Sequence, residues 1–215
     1  MTLPKLHRTT IILLALIVLS GLVLRFVAGA YAPPRGQWAD AEAYHVLAKN
    51  IIEGNGYSAS PSEPYLPTRY TTPTYPIFIA TIYAIWGTDY GGVLFVQRVL
   101  SALSVVLVFF LAQYFFTTKV GLCAAAISAY YPALIYYSNL MLRESLTGIL
   151  VLCVITLMWV PKHLPYQKRL LALGILVAIS SMCRPETLLL AAPIYLILKQ
   201  HPIRPLRNHA SSIMC

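Results

Sequence analysis

The chain has 215 residues, of which 58% are hydrophobic and only 11% charged, with a mean hydropathy of +0.68. Ordinary soluble domains carry about 25% charged residues, so the composition excludes one and specifies an all-α, polytopic membrane protein. The net charge of +9 does not point to nucleic acid, because the basic residues flank hydrophobic runs, where membrane insertion requires them.

Lys5, His7 and Arg8 precede a first predicted span over 10–30, which places the N-terminus in the cytoplasm. The run lacks a small-residue cleavage site and more spans follow, so it reads as a retained anchor. Arg25, near its far end, is expected to snorkel outward.

A long polar segment follows, over 31–74. Within it, WADAEAYHVLAKNIIEGNGY has Tyr44, Leu47, Ala48 and Ile51 at helical spacing, predicting a short amphipathic juxtamembrane helix over 41–53. Gly54 and Gly56 supply its stop, and Asp40 stands where a carboxylate caps free backbone N–H groups. Such a helix is expected to lie flat on the bilayer with Tyr44, Leu47 and Ile51 turned into lipid. Asp40 and Glu42 then sit at the lipid–water boundary, as a capped helix start or as chemistry. The segment ends in TRYTTPTYP, where Pro67, Pro73 and Pro76 are expected to forbid regular helix.

The apolar run 77–86 covers only about 15 Å of a hydrocarbon core roughly 30 Å thick. It reads as re-entrant or interfacial, with both ends outside. Further spans are predicted over 93–116, 120–137, 145–160, 170–182 and 188–198, for about six in all. Charge supports this count: the inner segments hold Lys119, Lys162, Lys168, Arg169, Lys199, Arg204 and Arg207 and no acid, while Asp40, Glu42, Glu53, Glu63, Asp89, Glu144 and Glu186 all fall outside. Both termini are thus expected in the cytoplasm. The predicted organisation is a transmembrane module over 1–200, with an outer loop over 31–92, and a basic cytoplasmic tail over 201–215.

Cys123, Cys153 and Cys183 lie in apolar runs and Cys215 is terminal; no spacing supports a disulfide framework or a metal site. Buried cysteine as a small apolar filler is the better account.

Three polar groups interrupt the pattern at outer membrane ends: Asp40/Glu42 with His45, Arg143-Glu144, and Arg184-Pro185-Glu186. One reading makes the last two local ion pairs that close helix ends. The other makes all three one cavity, with carboxylates for chemistry and arginines for an anionic group, since a guanidinium grips phosphate with several donors. His45 reads mainly as a packing residue. Tyr57, Tyr65, Tyr70 and Tyr75 offer rings for stacking on a sugar or for an interface belt.

The segments DAEAYHVLAKNI, EGNGYS, TRYTTPTYPIFIATIYAIWG, VQRVLSALSVVLVFFLAQYFF, AAAISAYYPALIYYSNLMLRESL and LALGILVAISSMCRPETLLL together resemble the GT-C membrane glycosyltransferases. The resemblance is to their protein-mannosyltransferase-like branch, which includes bacterial aminoarabinose and lipopolysaccharide galacturonosyl transferases. It implies transfer of a sugar from a polyprenyl-phosphate donor to a lipid, glycan or protein acceptor on the extracytoplasmic face, in a bacterial inner membrane. It implies a catalytic carboxylate at Asp40, a cavity acid at Glu144 and a donor-phosphate-binding residue at Arg69. The residues themselves add Glu42 as a second candidate base and Tyr44, Tyr75, Arg143, Arg184 and Glu186 as candidate binding residues around the cavity. Some family members use a divalent metal, but no residues here have metal-ligand spacing. Family members run to several hundred residues, so the chain matches an N-terminal half. The alternative is a truncated, non-catalytic membrane partner that keeps the fold.

Overall fold

The computed structural model describes residues 6–31, 39–159 and 165–200. Trp38, Lys162, Cys215 and the 201–215 tail lie outside the described residues.

Among the described residues the chain is helical, with no strand. Helix α1 (Arg8–Ala30) is followed by α2 (Ala39–Ile52), α3 (Thr74–Trp86) and α4 (Tyr90–Phe115), then α5 (Thr118–Tyr130), α6 (Pro132–Tyr137) and α7 (Glu144–Trp159). Last come α8 (Tyr166–Cys183), a 3-10 turn (Pro185–Leu190) and α9 (Ala191–Gln200). By length and composition, α1 and α4 are the two described helices that can cross a membrane unaided.

Sequence chemistry explains most of the boundaries. Asp89 caps α4 by accepting from the Gly91 N–H at 2.9 Å, and Thr117 caps α5. Gly54, Gly56 and Gly87 all take positive φ just past helix ends. The run predicted as one span over 120–137 is two helices. Tyr131 is extended (φ −67°, ψ 117°) because Pro132 disfavours helix at the residue before it. The Pro-rich segment departs from expectation in the opposite direction: α3 starts at Thr74 and includes Pro76. In a first turn the missing proline N–H has no intrahelical partner to lose.

Helices α1, α4 and α5 form one layer around Val105, Phe109, Ala125 and Ala129. Gly21 allows the α1–α5 approach, since a Cβ there would lie 3.0 Å from that of Ala129. Helix α7 packs on α4 and α8, with Val154, Leu173, Val177 and Ile194 at the second contact. Arg25 does not snorkel. It is wholly buried, donating from Nε to Ser101 Oγ (2.9 Å) and from Nη1 to the carbonyls of Gly21 (2.9 Å) and Ala129 (3.0 Å). In the bundle interior those acceptors replace water for Nε and Nη1, while Nη2 is buried without a partner.

Of the three described cysteines, only Cys183 is buried; Cys123 is exposed and Cys153 intermediate. The filler reading holds for Cys183 alone.

Candidate active site

The site is built where α2 and α3 pack on the N-terminal ends of α4 and α7 and the C-terminal end of α8. Helix α2 begins two residues before the predicted start, so Asp40 lies inside its first turn with Glu42 and is not the cap. Both acids lie at the positive end of the helix dipole. The apolar face is the predicted one, but it meets protein, not lipid. Leu47 and Ala48 have no exposed surface, and Tyr44 and Ala41 are buried against Tyr75, Ile79 and Tyr83 of α3. Met141, Leu146 and Cys183 complete this core.

Side-chain-to-backbone bonds tie the polar segment down. Asn50 Nδ2 donates to the carbonyls of Ser58 (2.8 Å) and Ser60 (2.9 Å), and the Tyr57 hydroxyl donates to the Thr71 carbonyl (2.9 Å). Thr72 Oγ1 donates to the carbonyl of Cys183 (2.9 Å) and Thr74 Oγ1 to that of Ile179 (3.2 Å). The segment is thus strapped to the end of α8, far away in sequence.

A second chain of contacts leads from α2 to the start of α7. The Tyr44 ring meets Tyr75 edge-on at 4.8 Å; the Tyr75 hydroxyl donates to Gln97 Oε1; and Gln97 Nε2 donates to the Leu140 carbonyl at 2.7 Å. Leu140 belongs to the turn that delivers Arg143 and Glu144. The consequence is electrostatic. Burial raises the pKa of the Tyr44 phenol; the Arg143 charge acts against that, and Asp40, Glu144 and Cys183 add to it. Met141 and Leu146 share a core with Ala41 and Tyr44, so the segment carrying Arg143 and Glu144 packs against α2 from about a hundred positions away. For Tyr57, burial first, then Tyr44, pushes the pKa up to about 12. Glu144 Oε2 is buried without a hydrogen-bond partner.

His45 is part of this packing. Its Nδ1 is hydrogen-bonded to the Tyr83 hydroxyl at 2.7 Å, its ring stacks on Tyr90 at 4.7 Å, and the Tyr90 hydroxyl donates to Glu42 Oε2 at 2.9 Å. Burial lowers the His45 pKa, with Glu42 opposing and Lys49 assisting. A histidine whose folded pKa is depressed binds fewer protons folded than unfolded, so stability falls as pH drops below about 6.5. We expect a lower thermal midpoint at pH 5.5 than at pH 7.5, and a smaller difference in His45→Phe. An unchanged difference in that variant would assign the pH dependence elsewhere.

The remaining candidates scatter. Arg69 and Tyr70 are exposed, and Arg69 has no partner among the described residues. Arg143 is partly buried. Arg184 Nε and Glu186 Oε2 form an ion pair at 3.5 Å with side chains 42% and 66% exposed, which agrees with the local helix-closing reading. Tyr75 is wholly buried and offers no ring face to a sugar; it carries α3 instead. Among the described residues no three His, Cys, Asp or Glu side chains gather as a metal site. Sequence reasoning passed over Gln97 and Asn50. The available signal was an amide side chain within an apolar helical pattern, which must find partners when buried.

Residues 70–213 match the family model for dolichyl-phosphate-mannose-protein mannosyltransferase, and with a strongly apolar chain that is helical through its described elements this makes a membrane glycosyltransferase of the GT-C type. The match covers more than half of the chain, and the chain belongs to that family. Tyr75, Arg143, Glu144, Arg184 and Glu186 fall within the matched segment; Asp40, Glu42, Tyr44 and Arg69 precede it. No curated protein and no solved structure matches the chain.

Proposed function

We propose that the chain transfers a sugar from a polyprenyl-phosphate donor to an acceptor hydroxyl on the extracytoplasmic face of the membrane. The observation that carries this is the core that Ala41 and Tyr44 share with Met141 and Leu146, which brings the segments bearing Asp40, Arg143 and Glu144 side by side, in a chain of this family. Attack at the anomeric carbon needs a base for the acceptor hydroxyl. Asp40 is exposed and ionisable, so an acceptor can reach it. Glu42 is less free, since Tyr90 already donates to it. The leaving lipid phosphate is acidic and needs no general acid; the charge developing on it is stabilised by arginine. Arg143, on the segment packed against α2, is our candidate for that role; Arg69, which is exposed, and Arg184, which pairs with Glu186, are further candidates. The reading is tested in membranes carrying the chain, supplied with a radiolabelled polyprenyl-phosphate sugar. Label should leave the donor faster than in membranes without the chain; equal rates would remove the proposal.

Two predictions follow from the placement. The six-span arrangement puts residues 36–72 outside and 162–169 inside. Single cysteines at Ser60 and Gln167, in a background lacking the native four, should react with an impermeant thiol reagent in whole cells at Ser60 only. Labelling at Gln167 alone would invert the site. Arg184→Lys separates rim binding from helix closure: Lys keeps the charge and loses the planar fork. Weaker donor binding at normal membrane abundance is expected. An equal fall in abundance for Arg184→Lys and Arg184→Ala would reduce the pair to a structural one.

A further inference from the structure

The seam between α4 and α7 opens into a cleft of about 130 Å³ that none of the roles above uses. Its end nearest the candidate site is polar, with Tyr137, Glu144 and Ser145; two turns deeper it is apolar, with Val108, Ile149 and Leu152. The polar wall is largely spoken for. Ser101 Oγ accepts from Arg25, Ser104 Oγ donates to the Ser101 carbonyl, and Ser145 Oγ donates to the Tyr137 carbonyl. Glu144 differs: its Oε2 is buried with no donor. An unmet buried carboxylate oxygen is costly and calls for a donor from outside the fold.

A cleft graded from an orphan acceptor to an apolar floor has the polarity of an amphiphile entered chain-first. Among the described residues no lysine or arginine lines it, so a lipid phosphate would meet carboxylate and hydroxyls there. The cleft therefore does not fit the head of the donor. We infer that it receives the hydrocarbon chain of a lipid acceptor, with one head-group hydroxyl donating to Glu144 Oε2 and the hydroxyl to be glycosylated left to Asp40. This rests on the transferase reading, in which the acceptor presents an O–H nucleophile. It narrows the acceptor to a hydroxyl-bearing membrane lipid over a soluble glycan or a protein segment. Gly148 keeps the wall open: a Cβ there would meet nothing within 4 Å, so a larger side chain can be added without a clash at its root.

The test uses the purified full-length chain and a diazirine-bearing long-chain alcohol, compared with the alkyl phosphate of the same chain length. After irradiation, the alcohol should label peptides covering 101–108 and 144–152. A hydrogen bond to a charged group sets the expected preference over the phosphate at about tenfold. Excess unlabelled alcohol should compete the label away, a measurement that needs no variant. Gly148→Leu should reduce labelling several-fold by occupying the cleft, and Glu144→Ala should abolish the preference for the alcohol. Equal labelling by alcohol and phosphate would overturn the proposal. So would label that resists competition and spreads along the exposed face of α1. Binding and transfer are read separately: saturable labelling in a chain that transfers no sugar keeps the cleft and removes the transferase reading, whereas transfer without cleft labelling does the reverse.

Discussion

Gln97→Leu is expected to destabilise the chain more than any other single change in the α2–α3–α4 contact. The fully buried amide joins the Tyr75 hydroxyl to the Leu140 carbonyl. Leucine restores the volume but leaves both partners buried and unpaired, at about 1–3 kcal/mol each. Tyr75→Phe removes one hydroxyl and leaves only Gln97 Oε1 unmet, so its cost should be smaller. The double variant Tyr75→Phe/Gln97→Leu is the decisive comparison. It leaves one unmet group where Gln97→Leu leaves two, so it should be at least as stable as Gln97→Leu alone. Thermal unfolding of the purified variants in detergent measures this. Costs that simply add would mean that the two residues do not depend on each other. Sugar transfer should fall with the stability, because the same contact positions the turn that carries Arg143 and Glu144.

The elements were legible in the sequence wherever one local signal dominated. The apolar run up to Ala30 and the glycine stops after Ile52 and Trp86 lie where the pattern puts them. Errors arose where tertiary contact decided. The apolar face of α2 has the same period whether it meets lipid or α3, so Tyr44 and Leu47 were assigned to lipid. Arg25 sits at a depth from which it could snorkel, and only the carbonyl of Ala129 and the hydroxyl of Ser101, both far away in sequence, make burial the better solution. Pro132 breaks a helix that Pro76 does not, although both follow a tyrosine. The difference is position: Pro76 falls in a first turn and Pro132 in mid-run.

The candidate site was legible as residue types, not as geometry. Asp40, Arg143 and Glu144 stand out as ionisable groups beside apolar runs, and residues flanking them share one core. Arg184 and Glu186 stood out equally, yet form an exposed pair. What separates the two cases is the strap from Thr72 and Thr74 to α8 and the Tyr75–Gln97–Leu140 connection, neither of which has a periodic or spaced signature.

Asp40→Asn is the change with the largest expected effect on activity. Asp40 lies in the first turn of α2, where its charge on the helix dipole is worth about 0.3–1 kcal/mol. If that were its whole role, asparagine would cost no more than that and transfer would continue nearly unchanged. A base that removes the acceptor proton cannot be replaced by an amide, and turnover should fall about 10²-fold or more at normal membrane abundance. Glu42→Gln should be milder, because the Tyr90 hydroxyl already occupies Glu42 Oε2. The most direct measurement is the rate at which sugar leaves a radiolabelled polyprenyl-phosphate donor, compared between membranes carrying the unaltered chain and membranes carrying Asp40→Asn at equal abundance. A loss of about 10²-fold is the expected result; near-equal rates would contradict the assignment of Asp40 as the base.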